Sequence, residues 1–397
     1  MEKVYLRPRR EDSILRFHPW VFSGAIAKIT GEPAEGDLVG VYSSEGQYLA
    51  TGHYQIGSIA VRILSFDEDP TAPDFWEKMV RRAYQVRVAC GLHGSASTTC
   101  YRLFHGEGDG LPGLIIDYYD GVCVLQAHSV GMFKAKTAIC EALKAVYGDS
   151  LKAVYDKSSG TAPFKAGLDL VDGYLYQADG FDSDECVVLE NGNKFHVNWN
   201  EGQKTGFFLD QRENRAAVGR LAKGRNVLNL FCYTGGFSIY ALNGGAVHVD
   251  SVDSSRKAMD MVDRNVALNG FTPEQHTSYC ADAIEFLRDV PEGKYDLMIV
   301  DPPAFAKHRG ALKNALRAYQ RLNAAAIAKV APGGFVFTFS CSQVVDKEAF
   351  ALAVFSAAAQ TGRSVRILDR LNQPADHAVN IYHPEGEYLK GLLLYVE

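Results

Sequence analysis

The C-terminal half of the sequence repeats one pattern, a short apolar run followed by a helical stretch, and this constrains the fold most. The runs lie at 226–231, 246–253, 276–280, 295–300 and 334–339. Alternation of this kind predicts a parallel sheet with helices on both faces. We therefore expect an α/β domain over residues 186–397, with its ligands beyond the carboxyl ends of the strands.

The N-terminal half has a different texture. Residues 37–65 alternate short β-rich runs with turn signals, which predicts a small β-barrel or sandwich. A helical period over 75–90 predicts a connecting helix, and residues 101–180 mix strands with one helix. Since 397 residues exceed the usual size of one hydrophobic core, we expect three domains. Their predicted bounds are 1–70, 71–185 and 186–397.

The hydropathy of the chain argues against a membrane protein, and its charge limits how it can bind nucleic acid. A formal net charge of −6 provides no global basic field, so recognition of nucleic acid must depend on local patches. One such patch contains Lys3, Arg7, Arg9, Arg10 and Arg16. The longest apolar run, 350–359, is about half of what a bilayer span needs, and no apolar segment follows the charged N-terminus. We expect a cytoplasmic protein with no membrane partner.

The cysteines and histidines do not predict a metal site. The eight cysteines include no C-x-x-C pair, which argues against zinc and, in a chain this long, against a disulfide framework. His377 and His383, near Asp376 and Glu387, have a spacing that suits no helical ligand pair. Loop or substrate-side roles are favoured for both histidines.

The first strand-like run passes into a turn that contains glycine and then opens a helix. The turn carries Asn229, Phe231, Tyr233, Thr234 and Gly235. Glycine is favoured where the backbone approaches a ligand closely or adopts positive φ. The turn is either an ordinary strand-to-helix connection or part of a cofactor site.

Acidic residues follow the next two runs. Asp253 comes about 20 residues after the turn, where a carboxylate can accept hydrogen bonds from ribose hydroxyls. Asp282 can accept from an adenine amino group, cap the helix that follows it, or do both. The G-x-G-x-x-G pattern is absent, which disfavours nicotinamide and flavin cofactors. We therefore expect S-adenosylmethionine, which carries ribose and adenine but no phosphate.

The last two runs end in residues that suggest the reaction. Asp301 precedes Pro302 and Pro303, and such a motif is typical of methyltransferases that act on planar nitrogen-containing groups. Cys341 follows the fifth run, so it should lie beside Asp301 if the two strands are neighbours about 4.8 Å apart. A cysteine is more often a small buried hydrophobe, but a strand end at a ligand crevice favours a reacting thiol.

A thiol at this place suits one reaction in particular. Carbon 5 of cytosine is too weakly nucleophilic to accept a methyl group unaided. Addition of a thiolate to carbon 6 creates an enamine that makes carbon 5 reactive. An exocyclic nitrogen needs no such help.

With these residues in place, the sequence resembles the 23S ribosomal RNA cytosine-5 methyltransferase family, class I S-adenosylmethionine enzymes with an N-terminal PUA domain. The resemblance spans nearly the whole chain. Besides the Asp-Pro-Pro and Ser-Cys-Ser motifs, it includes HPWVFSG at 18–24, YRLFHGE at 101–107, DGLPG at 109–113, QKTGFFLDQR at 203–212 and PEGEYLKG at 384–391.

The resemblance implies a Rossmann-like methyltransferase domain, preceded by a small β-barrel PUA domain and a small α+β middle domain. It implies that Cys341 is the nucleophile and that Asp301 contacts the cytosine ring edge and the cofactor. The implied cofactor-binding residues are Asn229, Phe231, Tyr233, Thr234, Gly235, Asp253 and Asp282, with Phe208 and Asp210 from an additional motif. Plain core packing is an equal alternative for Phe208.

One departure from related RNA cytosine-5 enzymes affects the mechanism. Many of them carry a second cysteine beside the Pro-containing motif, whereas Ala304 and Phe305 stand there in this chain. The group that assists loss of the carbon-5 proton is therefore not identified by the resemblance.

The expected partner is large-subunit ribosomal RNA, with a monomer and a homodimer both open. Two other functions stay open from the sequence. A methyltransferase acting on an exocyclic base nitrogen would share the Asp-Pro-Pro motif but would not need Cys341. A non-catalytic RNA-binding protein of PUA type would have no affinity for S-adenosylmethionine.

Overall fold

The fold is described from a computed structural model that covers residues 1–163 and 166–397. These residues form two compact units, each made of segments that are separate in sequence. The first unit comprises Met1–Val188, Val197–Leu209 and Ala375–Gly386, and the second comprises Leu189–His196, Asp210–Pro374 and Glu387–Glu397. The division at 70 and 185 stays a prediction, since the two units divide the chain at other places.

The first unit begins with a sheet that contains the β-rich residues 37–65. Its strands are β1 (Glu2–Leu6), β2 (Trp20–Phe22), β3 (Ile26–Ile29), β4 (Leu38–Tyr42), β5 (Tyr48–Tyr54) and β6 (Ile59–Ser65), and the short helix α1 is Asp12–Leu15. The strands lie in the order β2, β6, β5, β4, β1, β3. Alternate residues of these strands form a small core that includes Val4, Val39, Val41, Val61 and Ile63.

A second sheet of the same unit packs against two helices. Its strands are β7 (Cys100–His105), β8 (Leu114–Tyr119), β9 (Val122–Ala127), β10 (Ala153–Asp156) and β11 (Gly173–Gln177). The helices are α2 (Phe75–Ala89) and α3 (Val130–Tyr147). Neighbouring strands are antiparallel except β9 and β10, which are parallel. This α+β arrangement agrees with the mixed pattern of residues 101–180. The hairpin β12 (Glu185–Glu190) and β13 (Asn193–Asn198) follows it in sequence.

The second unit is built on one large sheet, which we call the C-terminal sheet. Its strands are β14 (Asn226–Leu230), β15 (His248–Asp253), β16 (His276–Cys280), β17 (Leu297–Val300), β18 (Gly334–Ser340), β19 (Val365–Leu371) and β20 (Lys390–Val396). Its helices are α4 (Arg212–Leu221), α5 (Gly236–Asn243), α6 (Arg256–Leu268), α7 (Ala283–Asp289), α8 (Leu312–Lys329) and α9 (Lys347–Thr361).

The strands of the C-terminal sheet lie in the order β16, β15, β14, β17, β18, β20, β19. Strands β14 to β18 are mutually parallel, as predicted. The sheet as a whole is mixed, because β20 runs antiparallel to both β18 and β19. The chain winds outward in both directions from β14 and β17, so the strand order reverses between them. Such a switch point is where open α/β sheets bind ligands.

Burial on both faces explains the near-continuous apolar runs of the central strands. All four residues of β17 and all seven of β18 are buried. Parallel strands covered by helices on both sides are expected to have this composition. The core beneath them includes Leu228, Met298, Val336, Tyr319, Ile327 and Leu394.

No helix among the described residues combines the length and the apolar character needed to cross a membrane.

Candidate functional site

The predicted site residues of the second unit follow adjacent parallel strands at one edge of the C-terminal sheet. Asp282 follows β16, Asp253 ends β15, and the turn with Gly235 follows β14. Asp301 follows β17, and Cys341 follows β18. Because these strands are parallel, their carboxyl ends meet at one edge. The sheet therefore brings together residues that are up to 112 positions apart in sequence (229 to 341).

The turn after β14 has an unusual backbone. Phe231 (φ 58°), Tyr233 (φ 48°) and Gly235 (φ 81°) all occupy the left-handed region. For residues with a side chain this region costs about 1–2 kcal/mol each, so the surroundings must hold the turn in place. Side-chain Nδ2 of Asn265 donates to Thr234 O at 2.9 Å and so supports the turn from α6.

Asp253 holds the same turn from the neighbouring strand. Its Oδ2 accepts from the backbone N–H of Tyr233 at 3.0 Å, and its Oδ1 accepts from the N–H of Ser255 at 2.9 Å. A carboxylate offers about four acceptor positions, and these two bonds occupy one on each oxygen. Asp253 therefore keeps capacity to accept from two hydroxyl groups.

Asp282 caps helix α7, which is one of the two roles expected for it. Its Oδ1 accepts from the backbone N–H groups of Ile284 at 2.9 Å and Glu285 at 3.0 Å. Both bonds use the same oxygen, and the side chain is exposed. The helix cap is thus compatible with a second acceptor role for Oδ2.

Asn229 lies deeper than the other turn residues. It is buried in β14, and its Nδ2 donates to Ser238 Oγ at 2.8 Å. Ser238 Oγ in turn lies 2.7 Å from Ser251 Oγ on β15. Among the described residues, Asn229 Oδ1 is buried without a hydrogen-bond partner. An unsatisfied buried acceptor next to a left-handed turn is a feature that a bound donor group would satisfy.

Asp301 is positioned by a residue that the sequence analysis did not select. Gln211, buried just before α4, donates from Nε2 to Asp301 Oδ2 at 3.0 Å. The neighbouring Asp210 accepts from the Tyr388 hydroxyl at 2.6 Å through its Oδ2. The segment that resembles the additional family motif therefore orients the Asp-Pro-Pro carboxylate. Gln211 and Asp301 are 90 positions apart in sequence, so the sequence does not reveal this hydrogen bond.

Phe208 belongs to the first unit, whereas the other candidate residues belong to the second. Its ring lies under the ammonium group of Lys204, 4.6 Å from the centroid. Its part in cofactor binding stays a prediction.

Cys341 is a partly exposed thiol that is not in a disulfide. The serines on either side of it are buried. Ser340 Oγ donates to the Tyr319 hydroxyl at 3.0 Å, and Ser342 Oγ lies 3.3 Å from the same hydroxyl. These bonds to α8 fix the backbone on both sides of Cys341. Strand β18 is the immediate neighbour of β17, which meets the condition under which Cys341 was expected near Asp301.

Lys390 is a second residue near the candidate site whose role the sequence does not reveal. It pairs with Ser340 in the register of β18 and β20, and only 6% of its surface is exposed. Its Nζ donates to Ser342 O at 2.6 Å. Burial lowers the pKa of Lys390 to about 8, while negative charge at Cys341 opposes that change. A buried cation therefore lies beside the candidate nucleophile.

Several other thiols are unsuited to nucleophilic chemistry. Burial raises the pKa of Cys140 to about 11 and that of Cys186 to about 12. Burial, with the negative charge of Asp253, raises the pKa of Cys232 well above its usual value. A thiol reacts through its thiolate form, so these three cysteines stay inert at neutral pH.

The acceptors at this edge of the sheet fit S-adenosylmethionine. Asp253 and Asp282 provide carboxylate oxygens that can accept from ribose hydroxyls and an adenine amino group. Two N–H groups of the turn after β14 are already used within the protein. The side chain of Asp253 accepts from the N–H of Tyr233, and the backbone oxygen of Cys232 accepts from the N–H of Gly235 at 2.9 Å. A pyrophosphate would need such donors, so a nucleoside without phosphate suits this edge.

Comparison with known families identifies two regions of the chain. Residues 101–393 match the S-adenosylmethionine-dependent methyltransferase family. Residues 4–66 match the PUA-like domain family. The predicted fold class and the predicted cofactor are thereby confirmed.

Relatives of similar length share one name, ribosomal RNA large subunit methyltransferase I. The protein from Aeromonas hydrophila subsp. hydrophila is 39% identical, and the match covers 98% of each chain. Those from Pseudoalteromonas atlantica and Photobacterium profundum are 41% and 40% identical, with 98% and 99% of each chain covered.

Solved structures agree with the fold over the full length. A methyltransferase crystallised with SAH, named SMU.776, has a TM-score of 0.85 at 24% identity, with 100% of both chains covered. A chain described as an S-adenosylmethionine-dependent methyltransferase from Streptococcus mutans has a TM-score of 0.84 at 23% identity, again over 100% of both chains. At these identities the likeness concerns the fold. On the strength of the full-length relatives, this chain belongs to the ribosomal RNA large subunit methyltransferase I family and is an S-adenosylmethionine-dependent methyltransferase with a PUA-like domain.

Proposed function

We propose that this protein methylates carbon 5 of a cytosine in large-subunit ribosomal RNA through a covalent adduct between Cys341 and carbon 6. The observation that carries the proposal is the position of Cys341. It is a partly exposed thiol at the end of β18, next to the strand that leads into Asp301, with the buried cation of Lys390 beside it.

The RNA substrate is proposed from the relatives and the domain composition. The full-length relatives carry the name of a large-subunit ribosomal RNA methyltransferase. The PUA-like region supplies a second surface for folded RNA, and the chemistry requires the target base to be turned out of its stack. The overall charge of −6 makes local contacts, rather than a global field, responsible for RNA binding.

Cys341 acts first in the proposed reaction. Its thiolate forms a bond to carbon 6, and the electron pair of the C5–C6 double bond makes carbon 5 nucleophilic. Once carbon 5 carries the methyl group, a base removes its proton. The C–S bond then breaks, which restores the aromatic ring and returns the thiolate.

In the proposed reaction Asp301 stabilises the cytosine ring while negative charge develops on it during addition of the thiolate. Gln211 Nε2 holds one oxygen of the carboxyl group at 3.0 Å, which sets the orientation of the group. In its protonated form Asp301 would donate to the ring nitrogen and accept from the amino group of cytosine, which offsets the negative charge that addition of the thiolate places on the ring. A preoriented polar group of this kind stabilises a transition state because it needs no reorganisation.

The remaining candidates hold the cofactor. Bound S-adenosylmethionine supplies an electrophilic methyl group. We propose that Asp253 accepts from the ribose, that Asp282 accepts from the adenine, and that the left-handed turn shapes the pocket. The full set of proposed cofactor contacts is Asn229, Phe231, Tyr233, Thr234, Gly235, Asp253, Asp282 and Asp301, with Phe208 and Asp210.

Substitution of the thiol tests the proposal. The variant C341A should bind S-adenosylmethionine in calorimetry as the parent protein does and should show no methylation of ribosomal RNA. Bisulfite sequencing of ribosomal RNA from cells with and without the gene should reveal one protected cytosine that depends on Cys341. Retained turnover in C341A would indicate methylation of an exocyclic nitrogen, and absence of cofactor binding by the parent protein would indicate a non-catalytic RNA-binding role.

A further inference from the structure

We propose that the first unit contains a binding site for a divalent transition metal, foremost Zn²⁺, formed by His18, His383 and Glu385. All three residues belong to this unit, although 365 positions separate the two histidines. One ligand atom from each residue lies within 4.8 Å of the others. This site is distinct from the methyltransferase site and does not depend on the proposed reaction.

His383 carries the main argument. Only 3% of its surface is exposed, and neither Nδ1 nor Nε2 has a hydrogen-bond partner among the described residues. A buried polar group without a partner costs about 1–3 kcal/mol. Within the part of the chain that the structure describes, His383 has two buried nitrogens without a hydrogen-bond partner, and a bound ligand would supply one. A metal ion bound to one ring nitrogen would satisfy that nitrogen and compensate the cost.

Neighbouring aromatic rings fix the position of His383. The centroid of its ring lies 4.3 Å from that of Trp20 and 5.5 Å from that of His18. These contacts hold the imidazole in place before an ion binds.

His18 is oriented in the way that metal-bound histidines often are. Its Nδ1 lies 3.3 Å from Trp20 O and 3.2 Å from Trp20 N, so the backbone engages this nitrogen. In the tautomer whose Nδ1–H donates to Trp20 O, Nε2 carries the lone pair that a metal needs. Trp20 is itself held by a 2.9 Å bond from Nε1 to Glu107 Oε1.

Glu385 completes the set with an exposed carboxylate. Its Oε2 lies 3.9 Å from His383 Nε2. In a tetrahedral site with zinc bonds of about 2.0–2.2 Å the ligand atoms lie about 3.4 Å apart, so binding would draw Glu385 inward by about 0.5 Å. Two imidazoles and one carboxylate suit Zn²⁺ and similar ions rather than Ca²⁺ or Mg²⁺, which prefer oxygen ligands. Three protein ligands leave a fourth position for water.

The histidine nearest to His383 in sequence, His377, is not part of this cluster. His377 pairs with Asp376 instead, with Nδ1 and Oδ1 3.2 Å apart. The partner of His383 comes from the HPW segment at the opposite end of the chain, which spacing along the sequence does not reveal.

Metal titration of the full chain tests the proposal. The protein, freed of any affinity tag and treated with a chelator, is titrated with Co²⁺ in the visible range and with Zn²⁺ in calorimetry. We expect one ion per chain, no thiolate-to-cobalt charge-transfer band, and a Zn²⁺-dependent rise in melting temperature. H383Q should abolish saturable binding, and H18Q and E385Q should each weaken it by more than about tenfold.

Matched variants separate this site from unspecific binding. E387Q, two residues from Glu385, and H308Q, at an exposed histidine, should bind the metal as the parent protein does. If H383Q does not fold, H18Q and E385Q decide the question. The proposal is overturned if the parent protein shows no stoichiometric binding, if a thiolate band appears, or if all three ligand variants bind like the controls.

Discussion

The ammonium group of Lys390 donates a 2.6 Å hydrogen bond to the backbone oxygen of Ser342, the residue directly after Cys341. Lysine is rarely this buried, and here burial lowers its pKa to about 8. The charge of Lys390 is therefore present below about pH 8 and is lost as the pH rises through that value. In the proposed mechanism this cation favours the thiolate form of Cys341.

Replacing Lys390 should lower the reactivity of the Cys341 thiol. We predict that K390M lowers the rate of Cys341 alkylation at pH 7 by about tenfold or more, since a hydrogen bond or charge contact of this kind contributes about 1.5–3 kcal/mol. The methylation rate should fall in parallel, while the affinity for S-adenosylmethionine is unchanged. Alkylation is measured by mass spectrometry of the peptide that contains Cys341 over a range of pH values.

Lys223 provides the matched control, because it is an exposed lysine of the same unit with no place in the proposed site. K223M should leave the pH profile of alkylation as it is. Equal alkylation rates in K390M and the parent protein would show that Lys390 is structural and has no part in activating the thiol.

Asp253 should matter for the cofactor both directly and through the turn that it holds. In D253N the amide retains one acceptor oxygen but loses the charge and the second acceptor. We predict that the affinity for S-adenosylhomocysteine in calorimetry falls by about 10- to 100-fold, which corresponds to the loss of one charged hydrogen bond. D260N, on the exposed face of α6, is the control and should bind normally. Normal binding by D253N would remove Asp253 from the cofactor site.

The two roles of Asp282 can be separated by two substitutions. Asparagine caps helices as well as aspartate does, so D282N should keep the melting temperature of the parent protein. The second polar atom of the asparagine side chain is an amide nitrogen, which donates and cannot accept from an adenine amino group. The affinity of D282N for the cofactor should therefore fall. D282A should lose both the helix cap and the acceptor for adenine. The missing cap should lower the free energy of unfolding by about 0.5–2 kcal/mol.

The measurement is calorimetry of S-adenosylhomocysteine binding alongside thermal unfolding of each variant. If D282N binds the cofactor as tightly as the parent protein, the carboxylate serves α7 alone.

The sequence predicted the parallel part of the C-terminal sheet closely, because buried parallel strands are apolar throughout. The run 276–280 coincides with β16, and 226–231 exceeds β14 by one residue, Phe231, whose positive φ ends the strand. The antiparallel strands β19 and β20 were not predicted. Exposed, charged residues of β19 such as Arg366 and Asp369 hide an edge strand from a hydropathy pattern.

The candidate site was predicted in part for a related reason. Residues at the end of a strand or directly after it, such as Asp253 and Cys341, can be placed from the strand pattern alone. Gln211 and Lys390 could not, since their roles depend on contacts with Asp301 and Ser342 from distant parts of the chain. The burial of Lys390 is contrary to the usual exposure of lysine, and only the fold reveals it.

The covalent adduct is the central claim, and it can be trapped. In RNA with 5-fluorocytosine at the target position, carbon 5 has no proton to lose after methylation, so the bond from Cys341 to carbon 6 cannot break. We predict a complex of protein and RNA that survives denaturation, requires S-adenosylmethionine, is absent in C341A, and maps to the peptide containing Cys341. Methylation of the unmodified RNA without any trapped complex on the fluorinated RNA, or a complex that maps to another cysteine, would contradict the proposed role of Cys341.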